Sequence, residues 1–186
     1  MRARSGTQGR TAHRDGLKIA HFPCVRNLDG FDFAAQPSVD PRQIRELATC
    51  RLVANGESLL LLGPPGVGKS HLAIGLGREA IRQNHSVLFV AAPALVAALA
   101  KAHADGRLDD KLTFFAKPKL LIIDGLGYLP FAPNAAHLFF QLVSRRYERG
   151  AMLVTATARS ANGARCSAIP WWPPPSSIAC STTATS

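Results

Sequence analysis

A run of four leucines, Leu59 to Leu62, breaks into GPPGVGKS over Gly63–Ser70. No other stretch narrows the fold and the chemistry as much. It satisfies the pattern GxxxxGK[ST], which carries meaning only between a strand and a helix. Both flanks are present. Ser58–Leu62 reads as a short buried strand, and Lys69–Gln83 reads as a helix with Leu72, Ile74, Leu76, Ala80 and Ile81 as its apolar set. Gly66 and Gly68 let the backbone curl so that successive N–H groups point inward at phosphate oxygens. The helix starting near Lys69 adds its positive dipole end. Lys69 then reaches the β- and γ-phosphates, and the Ser70 hydroxyl is a ligand for Mg²⁺. The nucleotide-binding set is Gly63, Pro64, Pro65, Gly66, Val67, Gly68, Lys69, Ser70 and His71. The competing reading is a Gly/Pro-rich turn that matches by chance, and the strand and helix on either side argue against it.

A phosphate loop of this kind needs an acidic partner at the end of a neighbouring apolar strand. KLLIID, ending at Asp124, supplies one. Asp124 is expected to hold the metal's hydration shell from the carboxyl end of the sheet, where ligands of open α/β sheets bind. The metal set is therefore Ser70 and Asp124, and the cofactors are ATP and Mg²⁺. The next residue is Gly125, where a hydrolytic ATPase of this class uses a carboxylate to orient the attacking water. Asp109 and Asp110 are the candidate substitutes, but nothing in the sequence aims them at a γ-phosphate. Binding is expected to be intact and hydrolysis weak or absent, with no catalytic residue assigned.

Around this site the chain divides by composition. Residues 1–16 are polar and basic and read as a disordered arm. Residues 17–155 alternate apolar runs with amphipathic stretches: a helix from Asp40–Pro41 to about Cys50, a strand at Ser86–Ala91, helices at Ala94–Ala104 and Asp109–Phe115, a strand at Leu120–Ile123, a helix at Ala135–Arg149 and a strand beginning at Ala151–Thr155. Fully apolar strands separated by helices imply a parallel sheet covered on both faces, an α/β fold of the P-loop NTPase class. Residues 156–186 hold no acidic residue, are rich in Ala, Ser, Thr and Pro, and show neither helical nor strand period. They are expected to be disordered and not to pack as a native continuation of the sheet.

Charge and cysteine usage set the context. A net charge of +10 over 186 residues points to an anionic polymer as partner, although a solvated basic face would give the same number. The four cysteines lie far apart, without zinc or disulfide-framework spacing. No apolar run approaches the roughly 20 residues that cross a bilayer. No signal peptide is apparent, so a cytoplasmic protein without a membrane is expected.

Four stretches carry a family resemblance: FDFAAQPSVDPRQIRELA (31–48), LLLLGPPGVGKSHLAIGLG (59–77), KPKLLIIDGLGYLP (117–130) and HLFFQLVSRRYERG (137–150). Together they resemble the IstB-like ATPases, helper proteins of insertion-sequence transposition and AAA+ relatives of the bacterial replication initiator and helicase loader. The resemblance covers residues 17–155. It implies an AAA+ type ATP-binding domain, oligomerisation on double-stranded DNA, and delivery of a transposase to its target. Three departures stand out. Gly125 replaces the family's Glu, residues 1–16 do not match a longer helical DNA-contacting start, and Ala156-Thr157 stand where the family has Ser-Asn, whose Asn senses the γ-phosphate. Read one base out of frame, codons compatible with residues 155–184 restore Ser-Asn after Thr155 and a family-like continuation. The tail is therefore expected to be an out-of-frame translation, leaving the domain incomplete at its C-terminus and the family pattern truncated at both ends.

Other residues carry two readings each. Phe31 and Phe33 are an adenine-side wall or core packing. Tyr128 and Pro130 shape the loop past the metal or are turn residues only. Arg145, Arg146 and Arg149 include a finger for a neighbouring subunit or simply balance a helix C-terminus. His21, His71, His85, His103 and His137 show no ligand spacing and read as surface or packing residues. The leading function is an ATP-binding transposition helper. The alternatives are a helicase-loader-like replication ATPase and a non-enzymatic nucleotide-binding remnant of a decayed transposition gene.

Overall fold

The computed structural model describes residues 15–126, 133–147, 149–157 and 177–179. A short helix α1 (15–19) leads through a 3-10 turn at Leu28–Gly30 to α2 (Pro41–Leu47) and α3 (Arg51–Asn55). Then follow β1 (Ser58–Gly63), α4 (Lys69–Arg82), β2 (Val87–Ala91), α5 (Ala92–Ala104), α6 (Leu108–Ala116), β3 (Leu120–Leu126), α7 (Pro133–Arg146), β4 (Ala151–Thr157) and β5 (Ser177–Ala179). The strands form one five-stranded sheet in the order β2-β3-β4-β1-β5. Every pairing is parallel, as the continuous apolar strands predict.

The strand period of two sorts the core into two layers. Leu59, Leu61, Val87, Phe89, Leu120, Ile122 and Leu153 face α4 and the N-terminal segment. Leu60, Leu121, Ile123, Met152, Val154 and Ala156 face α5, α6 and α7. Each fully buried Leu, Ile, Val or Phe contributes about 1.5–3 kcal/mol of transfer free energy, so two filled faces account for why these strands tolerate almost no polar residue. After β1 the chain crosses β4 and β3 to start β2 at the sheet edge, then returns through β3 and β4. The loop after β1 therefore opens at a switch point, beside the carboxyl ends of β3 and β4.

The structure departs from the sequence reading in several places. The helix expected to run to Cys50 stops at Leu47; Cys50 takes a left-handed φ of 58°, and the chain restarts as α3. Within the segment expected to be a disordered arm, Asp15 and Gly16 are already helical, and the Ala20 carbonyl just beyond accepts a hydrogen bond from the Phe89 amide at the free edge of β2. Strand β3 continues past Asp124 to Leu126, so Asp124 lies inside the strand rather than at its end. Strand β4 runs to Thr157, and Ser177–Ala179 pair with Leu59–Leu61 at the outer edge of β1. The last finding sets short pieces of residues 156–186 on the sheet, against the expectation that this stretch does not pack as a continuation of it. Main-chain pairing along an open strand edge requires no side-chain period, which is the signal the sequence reading relied on. Tyr128, Pro130 and most of the expected tail lie outside the described residues.

Candidate nucleotide site

Strand β1 carries Gly63 to the carboxyl edge of the sheet, and residues 64–68 turn the chain into α4. Gly66 and Gly68 both sit in the left-handed region, with φ of 83° and 85°. Side chains disfavour that region, so the loop's curl requires glycine there. Gly68 is required twice over, because a Cβ at this position would lie 2.5 Å from Phe31 Cε2. Half-buried Lys69 extends back along the loop, its Nζ donating to the carbonyls of Gly63 at 2.9 Å and Pro64 at 2.6 Å. The ammonium is thereby held over the start of the loop. Pro65 and Gly66 are exposed, while Pro64, Val67 and Gly68 are half-buried.

Exposed Ser70 donates its hydroxyl to Asp124 Oδ1 at 2.7 Å. The structure thus joins the two residues that sequence reasoning paired as metal ligands. A second hydroxyl reaches the same oxygen, from Thr155 Oγ1 at 2.6 Å. Thr155 Oγ1 in turn accepts from the Gly125 amide at 2.9 Å. The strand register explains this cluster. Ile123 pairs with Val154 and Leu126 with Ala156, so Asp124 and Gly125 together oppose Thr155 alone. That is a β-bulge, and Gly125 occupies its left-handed position with φ of 82°. The sequence marks the Thr155 hydroxyl only as one polar side chain in an otherwise apolar run. Thr157 pairs in register with Gly63, and its buried hydroxyl has no hydrogen-bond partner among the described residues.

The flanking residues pack around the loop and the helix that follows it. Phe31 is buried in the core layer beside α4, edge-on to Phe33 at 4.8 Å and to His71 at 5.4 Å. His71 Nε2 donates to the Asn27 carbonyl at 2.8 Å, and Arg78 Nε donates to Asn27 Oδ1 at 2.9 Å. The segment before α2 is thus strapped to the helix that begins at the phosphate loop. Asn27 carried no sequence signal. On the opposite face Arg145 hydrogen-bonds Asp109, which holds that carboxyl below its usual range. Asp109 is thus paired with α7 at the surface, and Asp110 is exposed on the same helix.

Arg146 differs from both of its neighbours in the reading. It is 1% exposed and donates to the carbonyls of Phe115 at 2.7 Å, Pro118 at 3.0 Å and Ala151 at 2.7 Å. Burial lowers its pKa to about 10, which still leaves it charged at neutral pH. It locks the end of α7 to the segments around it. Arg149 is exposed.

The donor set fits a nucleotide with a divalent cation: a glycine-curled loop ahead of a 14-residue helix, one ammonium, one hydroxyl and one carboxylate on a shared edge. Among the described residues no cluster of His, Cys, Asp and Glu offers a separate metal site, and no helix is long and apolar enough to cross a membrane.

Comparison with known proteins points the same way. The family described as IstB-like ATP binding protein matches residues 5–162. The ATP-binding protein of insertion sequence IS5376 from Geobacillus stearothermophilus is 47% identical over 140 residues, 75% of this chain and 56% of the relative. That of IS21 from Pseudomonas aeruginosa is 45% identical over 140 residues, 75% of this chain and 53% of the relative. The chain thus spans about half the length of these curated relatives. Among solved structures, the DnaC helicase loader superposes with a TM-score of 0.59 at 22% identity, over 66% of this chain and 70% of that one. AMPPCP-bound DnaA from Aquifex aeolicus superposes with a TM-score of 0.57 at 21% identity, over 70% of this chain and 41% of that one. At such identities these structures show the shared P-loop AAA+ fold alone.

Proposed function

We propose, since the chain belongs to the IstB-like ATP-binding protein family, that it is an ATP-binding helper of DNA transposition in which hydrolysis is weak. The observation that carries this reading is the junction of the phosphate loop with Asp124 through Ser70. Gly63–Ser70 and His71 cradle the phosphates, Lys69 exchanges its loop carbonyls for β- and γ-phosphate oxygens, and Ser70 and Asp124 hold Mg²⁺. The cation, when bound, spreads the charge of the phosphate oxygens. Double-stranded DNA, a transposase and further copies of the chain are the proposed partners, in the cytoplasm, and the net charge of +10 suits the first of them. A replication role has less support, because the relatives named above are insertion-sequence proteins and the helicase-loader likeness is one of fold.

The bulge favours binding over turnover. Gly125 has no carboxylate, and its left-handed backbone does not readily accept one. The family's sensing Asn is also replaced by Thr157. A binding protein that switches with nucleotide but turns it over slowly is the form these residues support, and a non-enzymatic remnant shares every one of these features. Retention of a duplex oligonucleotide tests the proposal, with a transposase added in a second arm. ATP should strengthen DNA retention and allow the transposase to be co-retained. DNA binding indifferent to ATP, with no transposase held, would contradict it.

A further inference from the structure

Thr155 is the polar residue in the middle of an apolar strand. Met152, Leu153, Val154 and Ala156 surround it along β4, and it is itself 1% exposed. A buried hydroxyl is costly unless its hydrogen bonds are made. Here both are made, and their directions are forced. A backbone amide only donates, so Thr155 Oγ1 is the acceptor toward Gly125. Its single hydrogen is then left for Asp124 Oδ1, which accepts at 2.6 Å. Because threonine is branched at Cβ, few χ1 values are open to it, so the strand backbone sets where this hydroxyl stands.

The bulge gives the hydroxyl its task. With Asp124 and Gly125 opposite one residue, the Gly125 amide bonds a side chain instead of a ladder carbonyl. Bulges re-aim side chains next to functional sites. In this one, Asp124 Oδ1 receives the hydroxyls of both Thr155 and Ser70. Thr155 therefore grips the bulge at its amide and the carboxylate at its oxygen.

We propose that Thr155 is a positioning residue for the cation site: it holds Asp124 in the orientation in which that carboxylate and Ser70 face a divalent cation together. The inference rests on the ATP–Mg²⁺ reading above. Thr155 acts through Asp124 and itself touches neither phosphate nor cation.

The test compares Thr155→Val, which keeps the shape and loses the hydroxyl, with Thr155→Ser, which keeps the hydroxyl. The probe is a fluorescent ATP analogue titrated in Mn²⁺ and, separately, in EDTA, with free Mn²⁺ followed by its electron paramagnetic resonance signal. Thr155→Val should weaken retention of Mn²⁺ by the nucleotide complex about 10- to 100-fold, the usual effect of removing a group that orients a metal ligand. Its affinity in EDTA should stay that of the wild type, and Thr155→Ser should recover Mn²⁺ retention. A purely structural role predicts that both affinities fall together or that neither does, and either result overturns the proposal. So does a serine variant that fails to recover. Should Thr155→Val not fold, Thr155→Cys removes the strong donor at nearly the same volume and is read in the same way. A wild-type chain that binds no nucleotide in either medium would overturn the ATP-binding reading and this inference with it. Normal wild-type binding beside an unaffected Thr155→Val would overturn this inference alone.

Discussion

Gly125→Ala isolates the backbone demand of the bulge. Gly125 stands at φ of 82°, where an L-residue meets a penalty of about 1–2 kcal/mol. Alanine also restricts the unfolded chain, which returns about 0.4–1 kcal/mol. The net loss should be about 1 kcal/mol, or roughly 2–4 °C in thermal midpoint for a chain of this size. Gly30→Ala is the matched control, because a Cβ there meets nothing within 4 Å and its φ lies outside the left-handed region. That variant should melt with the wild type or slightly above it. Gly125→Glu meets the same backbone penalty and adds a negative charge beside Asp124, so it should melt below the wild type and restore little hydrolysis. Groups that position a reaction together are not additive, and Thr157 still stands in place of an Asn. Differential scanning calorimetry reads the stability terms and phosphate release reads the turnover. If Gly125→Ala proves as stable as Gly30→Ala, the left-handed bulge is wrong; robust turnover by the unmodified chain would refute the account of weak hydrolysis.

Other consequences follow from single residues. Gly68→Ala should abolish nucleotide binding in a fluorescence titration, since it combines left-handed strain with a Cβ placed 2.5 Å from Phe31. Arg146→Ala strips donors from the carbonyls of Phe115, Pro118 and Ala151 and should lower stability in urea by about 3 kcal/mol, whereas exposed Arg149→Ala should change it by less than about 0.5 kcal/mol. Burial, assisted by Glu79, raises the Cys50 thiol to about 11, so at pH 8 only about a thousandth is thiolate, the reactive form. Peptide mapping after alkylation at pH 8 should find Cys50 unlabelled and exposed Cys24 labelled, with Cys50 becoming reactive as the pH rises toward 11.

How much of this was legible in the sequence differs by the kind of signal. The phosphate loop was legible because its chemistry needs particular residues at fixed spacing, and the strand and helix beside it obey their periods. Asp124 was legible from its place after an apolar run. The bulge was not, because Asp124-Gly125-Leu126 reads as a strand ending in a turn, and only the register with β4 shows that the strand continues. Thr155 was missed for a related reason: a lone hydroxyl in a buried strand declares itself only when its partners are known. The break at Cys50 was hidden because Ile44, Leu47 and Ala48 keep a helical period up to the point where the backbone turns left-handed. Arg146 carried the same sequence signal as Arg145 and Arg149, yet the structure buries Arg146, pairs Arg145 with Asp109 and exposes Arg149. Strand β5 had no side-chain pattern, since the edge of β1 recruits it through main-chain bonds.

The central claim is that Gly63–Ser70 and Asp124 form one nucleotide–metal site. Calorimetric titration of the folded chain with ATP, with and without Mg²⁺ and with and without Lys69→Ala, tests it most directly. Lys69 Nζ lies on the loop carbonyls where phosphate charge must be met, so the account predicts Mg²⁺-dependent ATP binding that Lys69→Ala abolishes. Equal ATP affinity in the wild type and in a folded Lys69→Ala variant would contradict it.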